Sequence, residues 1–146
     1  MNNQLNRRTF LTQVSAAALA TGLSTLPFMA SSNPSSQQKK LGMALVGLGY
    51  YSVDLLMPGL ENTQYVKLAG LVTGTPEKAK KYGEKYNIPK ENIYNYDNFD
   101  QIASNPAIDV VYIVLPNSMH KEFTIRAAKA GKHVICEKPM ALNAAE

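Results

Sequence analysis

From residue 41 onwards, short runs of apolar residues alternate with segments in which apolar positions recur at helical spacing. The runs contain few polar residues, which is typical of strands that are buried on both faces of a parallel sheet. The predicted strands cover residues 43–46, 66–72, 93–94, 110–115 and 133–136, and the predicted helices cover 53–60, 76–86, 98–103 and 121–130. Because strands joined by helical crossovers run parallel, this alternation predicts an α/β fold with a doubly wound parallel sheet.

Individual residues mark several helix ends. Pro58 lies within the first predicted helix, where its missing N–H donor should kink or shorten the helix. Thr75 and Pro76 mark the start of the second helix as its cap and first residue, and Gly131 ends the last helix. A further helix is predicted to begin at Asn143. The residues of the last full helix that should face the core are Phe123, Ile125, Ala127 and Ala128.

The first 40 residues have a different character. Arg7 and Arg8 stand directly before Thr9, and residues 10–29 contain no charged side chain. This pattern predicts a twin-arginine signal peptide over residues 1–32 and a polar linker over 33–40. The alternative is a general secretory signal that contains two arginines by chance. The hydrophobicity of residues 10–29 is modest for a permanent membrane anchor, so we expect the twin-arginine export machinery to deliver the folded protein to the periplasm.

Composition limits the possible functions. The chain has 146 residues, the size of one ordinary domain, and 45% of them are hydrophobic, as in soluble globular proteins. Without Arg7 and Arg8, 13 basic and 11 acidic residues remain and the lysines are scattered, which argues against nucleic-acid binding. Because Cys136 is the single cysteine, an internal disulfide and a cysteine-based zinc site are both ruled out. We predict no metal site.

The turn after the first strand is rich in glycine. Gly47 would permit a tight bend, and Gly49 would let a pyrophosphate approach the backbone, with the phosphate charge at the N-terminus of the next helix. Ser52 stands at the third glycine position of the common fingerprint and is small enough for close packing. The alternative is a turn without a ligand, but its place between a strand and a helix favours a dinucleotide-binding domain over residues 41–146. The candidate cofactor-binding residues here are Gly47, Leu48, Gly49, Tyr50 and Tyr51.

The residues after the second strand bear on the choice of cofactor. NAD-selective domains carry an acid there that binds the adenosine ribose, whereas this chain has Thr73 and no acid at residues 73–75. Lys78, in the first turn of the next helix, supplies positive charge that favours a 2′-phosphate. We therefore predict NADP, with NAD less favoured. The alternative is that Lys78 is one more solvated lysine beside Lys80 and Lys81.

The fourth predicted strand ends in Leu115, Pro116 and Asn117. Ligands of open α/β sheets bind at the carboxyl ends of the strands, so these residues and His120 are candidates to line a cofactor cleft. The alternative for His120 is that it lies at the start of a helix and has no chemical role.

The last strand ends in Glu137, Lys138 and Pro139, again at a carboxyl end. A lysine there can hydrogen-bond a sugar hydroxyl or the nicotinamide ribose and stabilise charge that develops on oxygen. Lys138 is therefore the candidate catalytic residue, and Glu137 is a candidate cofactor contact. Proline fixes such a turn and can adopt the cis form.

Taken together, these residues resemble the Gfo/Idh/MocA oxidoreductases. The marks of that family are the glycine turn, a strand that ends in Pro116 and Asn117, and the stretch 130–139, which here reads Ala-Gly-Lys-His-Val-Ile-Cys-Glu-Lys-Pro. The resemblance covers residues 41–142, about seven-tenths of the chain. It implies a Rossmann-type NADP-binding domain that is incomplete at its C-terminus, because the sixth strand of the family's sheet has no counterpart in these residues.

The resemblance also implies roles for the candidate residues. NADP would be held by residues 47–51, with Thr73 and Lys78 at its 2′-phosphate and residues 115–117 beneath the nicotinamide half. Lys138 would touch both the substrate and the cofactor. The family's proton-transferring residue and its oligomer surface belong to a second domain that nothing here matches. The implied activity is hydride transfer between a sugar or polyol and tightly bound NADP(H), in a protein that forms a homo-oligomer.

Other functions stay open at this point. The chain could be a nucleotide-binding fragment or a non-catalytic family member without activity of its own. It could also belong to an enzyme that acts on a different polyol. We expect the 146-residue chain alone to be inactive, because the proton-transferring residue is not among its residues. The reading frame beyond codon 146 would separate an enzyme from a fragment.

Replacing both Arg7 and Arg8 with lysine should abolish export, because the twin-arginine route depends on the arginine pair. The measurement is the amount of protein in the periplasmic and cytoplasmic fractions of cells that express each form. Normal periplasmic delivery of the double-lysine variant would contradict the twin-arginine assignment.

Overall fold

The structure is a computed structural model that describes residues 39–146. The predicted signal peptide and all but the last two residues of the predicted linker lie outside these residues. The first strand begins at Leu41, two residues earlier than predicted.

Five parallel strands form a single sheet within the described residues. In chain order they are β1 (Leu41–Val46), β2 (Val66–Val72), β3 (Ile93–Tyr94), β4 (Val110–Ile113) and β5 (His133–Cys136). Their order across the sheet is β3-β2-β1-β4-β5. The register aligns Val46 of β1 with Val72 on one side and with Ile113 on the other. The predicted doubly wound parallel sheet is confirmed.

Helical segments connect the strands. They are a π-helical segment (Tyr51–Leu56) that continues into α1 (Met57–Glu61), then α2 (Pro76–Lys85) and α3 (Asn117–Lys129), with 3₁₀ helices at Lys90–Asn92 and Phe99–Ser104. Thr75 precedes α2 at the cap position, as predicted, although its side chain makes no capping hydrogen bond. Among residues 39–146, no helix combines the length and the apolar character needed to cross a membrane.

The first helix differs from the prediction of a plain helix over residues 53–60. Its first part is a π-helix, in which the N–H of Met57 donates to the carbonyl of Ser52, five residues earlier. Pro58 follows directly. It has no N–H for the carbonyl of Asp54, and its ring would collide with that carbonyl in a regular α-helix. A wider turn before the proline relieves both problems, so the predicted kink takes the form of a π-segment.

The boundary between β4 and α3 was also predicted wrongly. β4 ends at Ile113 rather than at residue 115, and α3 begins at Asn117 rather than at residue 121. Pro116 marks the boundary, because it has no N–H to donate to a neighbouring strand. Its carbonyl instead accepts the N–H of Met119 at 2.9 Å in the first turn of α3.

One smaller prediction near the C-terminus was wrong. Ile125 is 44% exposed and Ala128 is exposed as well, so α3 faces the core with Phe123 and Ala127 together with His120. Residues 143–146 are too few to test the helix predicted to begin at Asn143. The side-chain oxygen of Asn143 accepts the backbone N–H groups of Ala145 at 3.1 Å and Glu146 at 3.2 Å, the pattern of a residue that caps a helix start.

The core lies on both faces of the sheet. Along β1, Ala44 and Val46 pack on one face against β4 and α3 residues, including Phe123. Met43 and Leu45 pack on the other face, where Met57 of α1 covers them. All four β1 side chains are at most 6% exposed. β1 is therefore the buried centre of the sheet, and the turn at its end is held from both sides.

Candidate functional site

The predicted site residues come together at one edge of the sheet. The glycine turn follows β1, Thr73 follows β2, residues 115–117 follow β4, and residues 137–139 follow β5. Since all five strands are parallel, these four segments lie at the same, carboxyl edge. The chain moves outward from β1 to β3 on one side and then crosses to β4 and β5 on the other. A crevice between β1 and β4, where the direction reverses, is where open α/β sheets bind ligands.

The two glycines of the turn differ in what a side chain would meet at their positions. Gly47 has φ +93°, and a Cβ atom there would lie 2.2 Å from the carbonyl oxygen of Val114, so the fold itself excludes a side chain. Its N–H donates to the carbonyl of Val72 at 2.9 Å. Gly49 has no atom within 4 Å of an added Cβ. The backbone at Gly49 therefore borders open space, where a ligand can approach it.

Ser52 is small enough for close packing and also makes a hydrogen bond. Its side chain is fully buried, and Oγ donates to the carbonyl of Gly47 at 2.6 Å. The hydroxyl therefore ties the first helix back to the turn. Sequence reasoning predicted only a small residue at this position and missed the hydrogen bond.

The other predicted residues of the turn divide into buried and exposed ones. Leu48 is 3% exposed and packs into the core, so only its backbone can face a ligand. Tyr50 is 73% exposed and Tyr51 is 41% exposed. Both tyrosines lie at the start of the helix, where the hydroxyl of Tyr51 neighbours that of Tyr112.

The end of β2 brings a cation to the glycine turn. Thr73 is 5% exposed, and its Oγ1 accepts the N–H of Thr75 at 3.2 Å, which leaves the hydroxyl proton available for donation. Lys78 of α2 is exposed, and its Nζ donates to the carbonyl of Leu48 at 2.8 Å. This contact places a positive charge beside the turn that was predicted to hold phosphate. Sequence spacing alone could not show it.

Cavities lie at both ends of the sheet. One of about 390 Å³ adjoins the end of β2 and is lined by Thr73, Gly74 and Tyr96 among others. A larger one of about 480 Å³ lies near Asn92, Asn105 and Ala107, before β3 and β4 begin. Only the smaller cavity belongs to the edge that carries the predicted residues, so size does not identify the site here.

His120 lies in the first turn of α3, the position named in one of its two interpretations. It is 1% exposed, so it does not face the opening. Its Nε2 lies 2.7 Å from the carbonyl oxygen of Leu115, and its Nδ1 lies 2.6 Å from that of Pro139. The ring thus stands between the segment after β4 and the turn after β5. Pro116 and Asn117 are exposed at the same edge.

The turn after β5 is anchored through Glu137. Its N–H donates to the carbonyl of Ile113 at 3.0 Å, and its Oε1 accepts the hydroxyl of Tyr112 at 2.5 Å. Lys138 is exposed, and its Nζ makes no hydrogen bond or ion pair within residues 39–146. The Lys138–Pro139 peptide is cis, the form considered from the sequence. The side chain of the candidate catalytic lysine is therefore free to reach a ligand.

Tyr112 is the residue that sequence reasoning missed. Burial raises its pKa well above the ordinary value, and the hydrogen bond to Glu137 and the neighbouring Tyr51 hydroxyl raise the pKa further. Tyr112 therefore stays protonated at neutral pH and donates to the carboxylate. The available signal was a side chain with a polar tip inside the otherwise apolar strand 110–113.

In the described part of the chain, three or more His, Cys, Asp or Glu side chains do not gather anywhere as a metal site would require.

Comparisons with known proteins agree with this geometry. The profile of the Gfo/Idh/MocA oxidoreductase family, described as an NAD-binding Rossmann fold, matches residues 41–146. The aldose-aldose oxidoreductase of Caulobacter crescentus, whose crystal structure contains glycerol, is 55% identical over 70% of this chain, with a TM-score of 0.69. The D-xylose 1-dehydrogenase (NADP(+)) of Haloarcula marismortui is 32% identical over 66% of this chain.

A third relative was crystallised with NAD(H). The scyllo-inositol dehydrogenase of Lactobacillus casei, with bound NAD(H) and scyllo-inositol, is 27% identical over 72% of this chain, with a TM-score of 0.62. The matches cover 31%, 27% and 30% of the three relatives in the order given. The chain therefore spans about three-tenths of the length of the relatives that it matches.

The two glycines should respond differently to the same substitution. Gly47→Ala should lower the free energy of unfolding by about 2–5 kcal/mol. An alanine is strained at this positive φ, and its Cβ would also overlap the carbonyl oxygen of Val114. Gly49→Ala should change the free energy of unfolding by less than about 1 kcal/mol, since its Cβ meets open space. It should nevertheless weaken dinucleotide binding about tenfold or more, which corresponds to about 1.4 kcal/mol.

Urea unfolding and titration with NADP and NAD measure the two effects. Unchanged dinucleotide affinity of the Gly49→Ala variant would show that no pyrophosphate approaches the backbone at this turn.

Proposed function

Because the chain belongs to the Gfo/Idh/MocA oxidoreductase family, we propose that it is the NADP-binding part of a periplasmic sugar oxidoreductase. The reaction would be hydride transfer between a sugar and NADP(H). The observation that carries the proposal is the convergence of the glycine turn, Lys78 and Lys138 on one edge of the sheet. The first two suit the phosphates of a dinucleotide, and the third suits a reacting sugar.

The preference for NADP rests on the end of β2. An acid there would repel a 2′-phosphate and bind the ribose hydroxyls of NAD, but residues 73–75 are Thr, Gly and Thr. Lys78 is held at the glycine turn by its contact with the carbonyl of Leu48, and its remaining N–H donors can reach a phosphate oxygen. The names of the relatives do not decide the point, since one is named for NADP(+) and another was crystallised with NAD(H).

Each residue of the edge has a role in this proposal. The backbone of residues 47–49 accommodates the pyrophosphate, and Thr73 and Lys78 bind the 2′-phosphate. Residues 115–117 flank the nicotinamide half, which supplies the hydride acceptor or donor when the cofactor is bound. Lys138 donates a hydrogen bond to the sugar oxygen and stabilises negative charge there. The group that takes the sugar's proton is not among these residues.

The sugar assignment rests on the chain's resemblance to glucose–fructose oxidoreductase. Residues 71–74, 77–80, 96–100, 111–118 and 136–140 resemble that enzyme, and the twin-arginine leader is shared. The identity of 55% to an aldose-aldose oxidoreductase supports the same class of substrate. Free NADP is not expected in the periplasm, so the proposed enzyme keeps its nucleotide bound. It oxidises one sugar and reduces another in alternation, and the twin-arginine route allows it to fold around the nucleotide before export.

The second candidate is a nucleotide-binding protein without catalysis. The glycine turn and Lys78 would bind a nucleotide in such a protein as well, whether or not hydride transfer followed. A reading frame that continues beyond codon 146 with a Tyr or His and an Asp in a later domain would favour the enzyme. We also propose that the whole protein is a homo-oligomer, as the family resemblance implies.

Lys78→Ala should lower the affinity for NADP about ten- to a hundredfold and leave the affinity for NAD nearly unchanged. The reason is the loss of a charge-assisted contact with the 2′-phosphate. Lys80→Ala is the matched control, because it removes another exposed lysine from the same helix. Calorimetric titration of both variants with both nucleotides measures the effect. Equal losses for NADP and NAD would mean that Lys78 only supports the turn, and no loss would place the 2′-phosphate elsewhere.

In the whole protein that contains this chain, Lys138→Ala should lower kcat/KM for the sugar about a hundred- to a thousandfold. Lys129→Ala, at the exposed end of α3, should leave the rate unchanged. The measurement is reduction of the bound nucleotide after one aldose is added, followed by its reoxidation with a second sugar. A wild-type protein that binds NADP but never exchanges hydride with any sugar would favour the non-catalytic alternative.

A further inference from the structure

We propose that Tyr112 and His120 are positioning residues that hold the Lys138 turn, residues 137–139, from its two sides. Neither side chain would touch the substrate. Each binds a neighbour of Lys138 to an element that is fixed in the core. The inference rests on the proposed function in one respect only, namely that Lys138 is the residue that contacts the ligand.

The first tie comes from β4. Tyr112 donates to Glu137 Oε1 at 2.5 Å, and the backbone N–H of Lys138 lies 3.4 Å from Oε2 of the same carboxylate. A hydroxyl that donates to a carboxylate forms one of the stronger protein hydrogen bonds. Because the pKa of Tyr112 is raised, this donor keeps its proton at any pH near neutrality. The carboxylate thus links the backbone of Lys138 to β4.

The second tie comes from α3. The ring of His120 lies between the carbonyl oxygen of Pro139 at 2.6 Å and that of Leu115 at 2.7 Å. A neutral imidazole donates from one nitrogen and an imidazolium donates from both. In either form the ring is enclosed, with 1% of its surface exposed. It therefore fixes the spacing between the segment after β4 and the residue that follows Lys138.

Lys138 itself has no such tie. Its side chain is exposed and makes no hydrogen bond within residues 39–146. The backbone on either side, at Glu137 and Pro139, consequently sets only the region that its Nζ can reach. Both ties lead to the segment that ends β4 and begins α3. The arrangement keeps Lys138 in register with residues 115–117, which the proposed function places beside the nicotinamide.

The variants remove the ties one at a time. Tyr112→Phe deletes only the hydroxyl that binds Glu137. The amide nitrogen of asparagine can replace Nδ1 and that of glutamine can replace Nε2, so His120→Asn retains a donor towards Pro139 and His120→Gln retains one towards Leu115. Tyr94→Phe is the matched control. It deletes a tyrosine hydroxyl that accepts a hydrogen bond from Asn105 at 2.8 Å.

The measurements are amide hydrogen exchange by NMR and titration with NADPH, both on the 146-residue chain. Tyr112→Phe and His120→Gln should each speed exchange of the Lys138 amide and of the Glu137 amide, which donates to the carbonyl of Ile113, about tenfold. They should also lower NADPH affinity about three- to tenfold, whereas His120→Asn and Tyr94→Phe should stay within about twofold of the wild type. Faster exchange confined to residues 137–140 supports the proposal.

Two results would overturn it. One is unchanged exchange at Lys138 in both Tyr112→Phe and His120→Gln. The other is a uniform acceleration at all amides, which would show that the two residues only stabilise the whole domain. Failure of the wild-type chain to bind NADPH would instead count against the proposed cofactor, since the exchange measurement needs no nucleotide.

Discussion

The candidate site depends on one constraint, the parallel direction of all five strands. A parallel sheet places the residue after each strand at the same edge, and here that edge collects the glycine turn, Thr73, residues 115–117 and the Lys138 turn. The central strand β1 is buried on both faces, so its end cannot move without disturbing two halves of the core. The close approach of Gly47 to the carbonyl of Val114 joins the ends of β1 and β4. The burial of apolar surface thus determines where the polar groups meet.

The order of the elements could be predicted from the sequence because it depends on local patterns. Apolar runs identified all five strands, and the edge that carries the ligand-binding candidates followed from strand direction alone. Boundaries were harder where a proline lay between two elements. Pro116 could be interpreted as the end of a strand or as the start of a helix, and the prediction placed the helix four residues too late.

The roles of individual polar side chains could not be predicted in the same way. His120 was placed at the correct edge, but its burial between two carbonyl groups depends on where β5 ends, 16 residues later in the chain. Tyr112 was missed because its partner, Glu137, is brought near only by pairing of β4 with β5. Ile125 was predicted to face inward because it is apolar. The buried face of α3 is defined by Phe123 and Ala127, and Ile125 lies off that face. Long-range pairing decides such contacts, and short patterns do not contain it.

The contact between Lys78 and the carbonyl of Leu48 has a consequence for the energetics of recognition. A free lysine side chain loses up to about 1.5–2 kcal/mol of rotamer entropy when it is ordered. In this domain part of that ordering accompanies folding, since the 2.8 Å hydrogen bond already directs the ammonium group to the turn. An incoming phosphate group would then meet a preorganised cation, and less of the interaction energy would be lost in immobilising it. Preorganisation of this kind favours slow release, a property that suits a nucleotide retained through many turnovers.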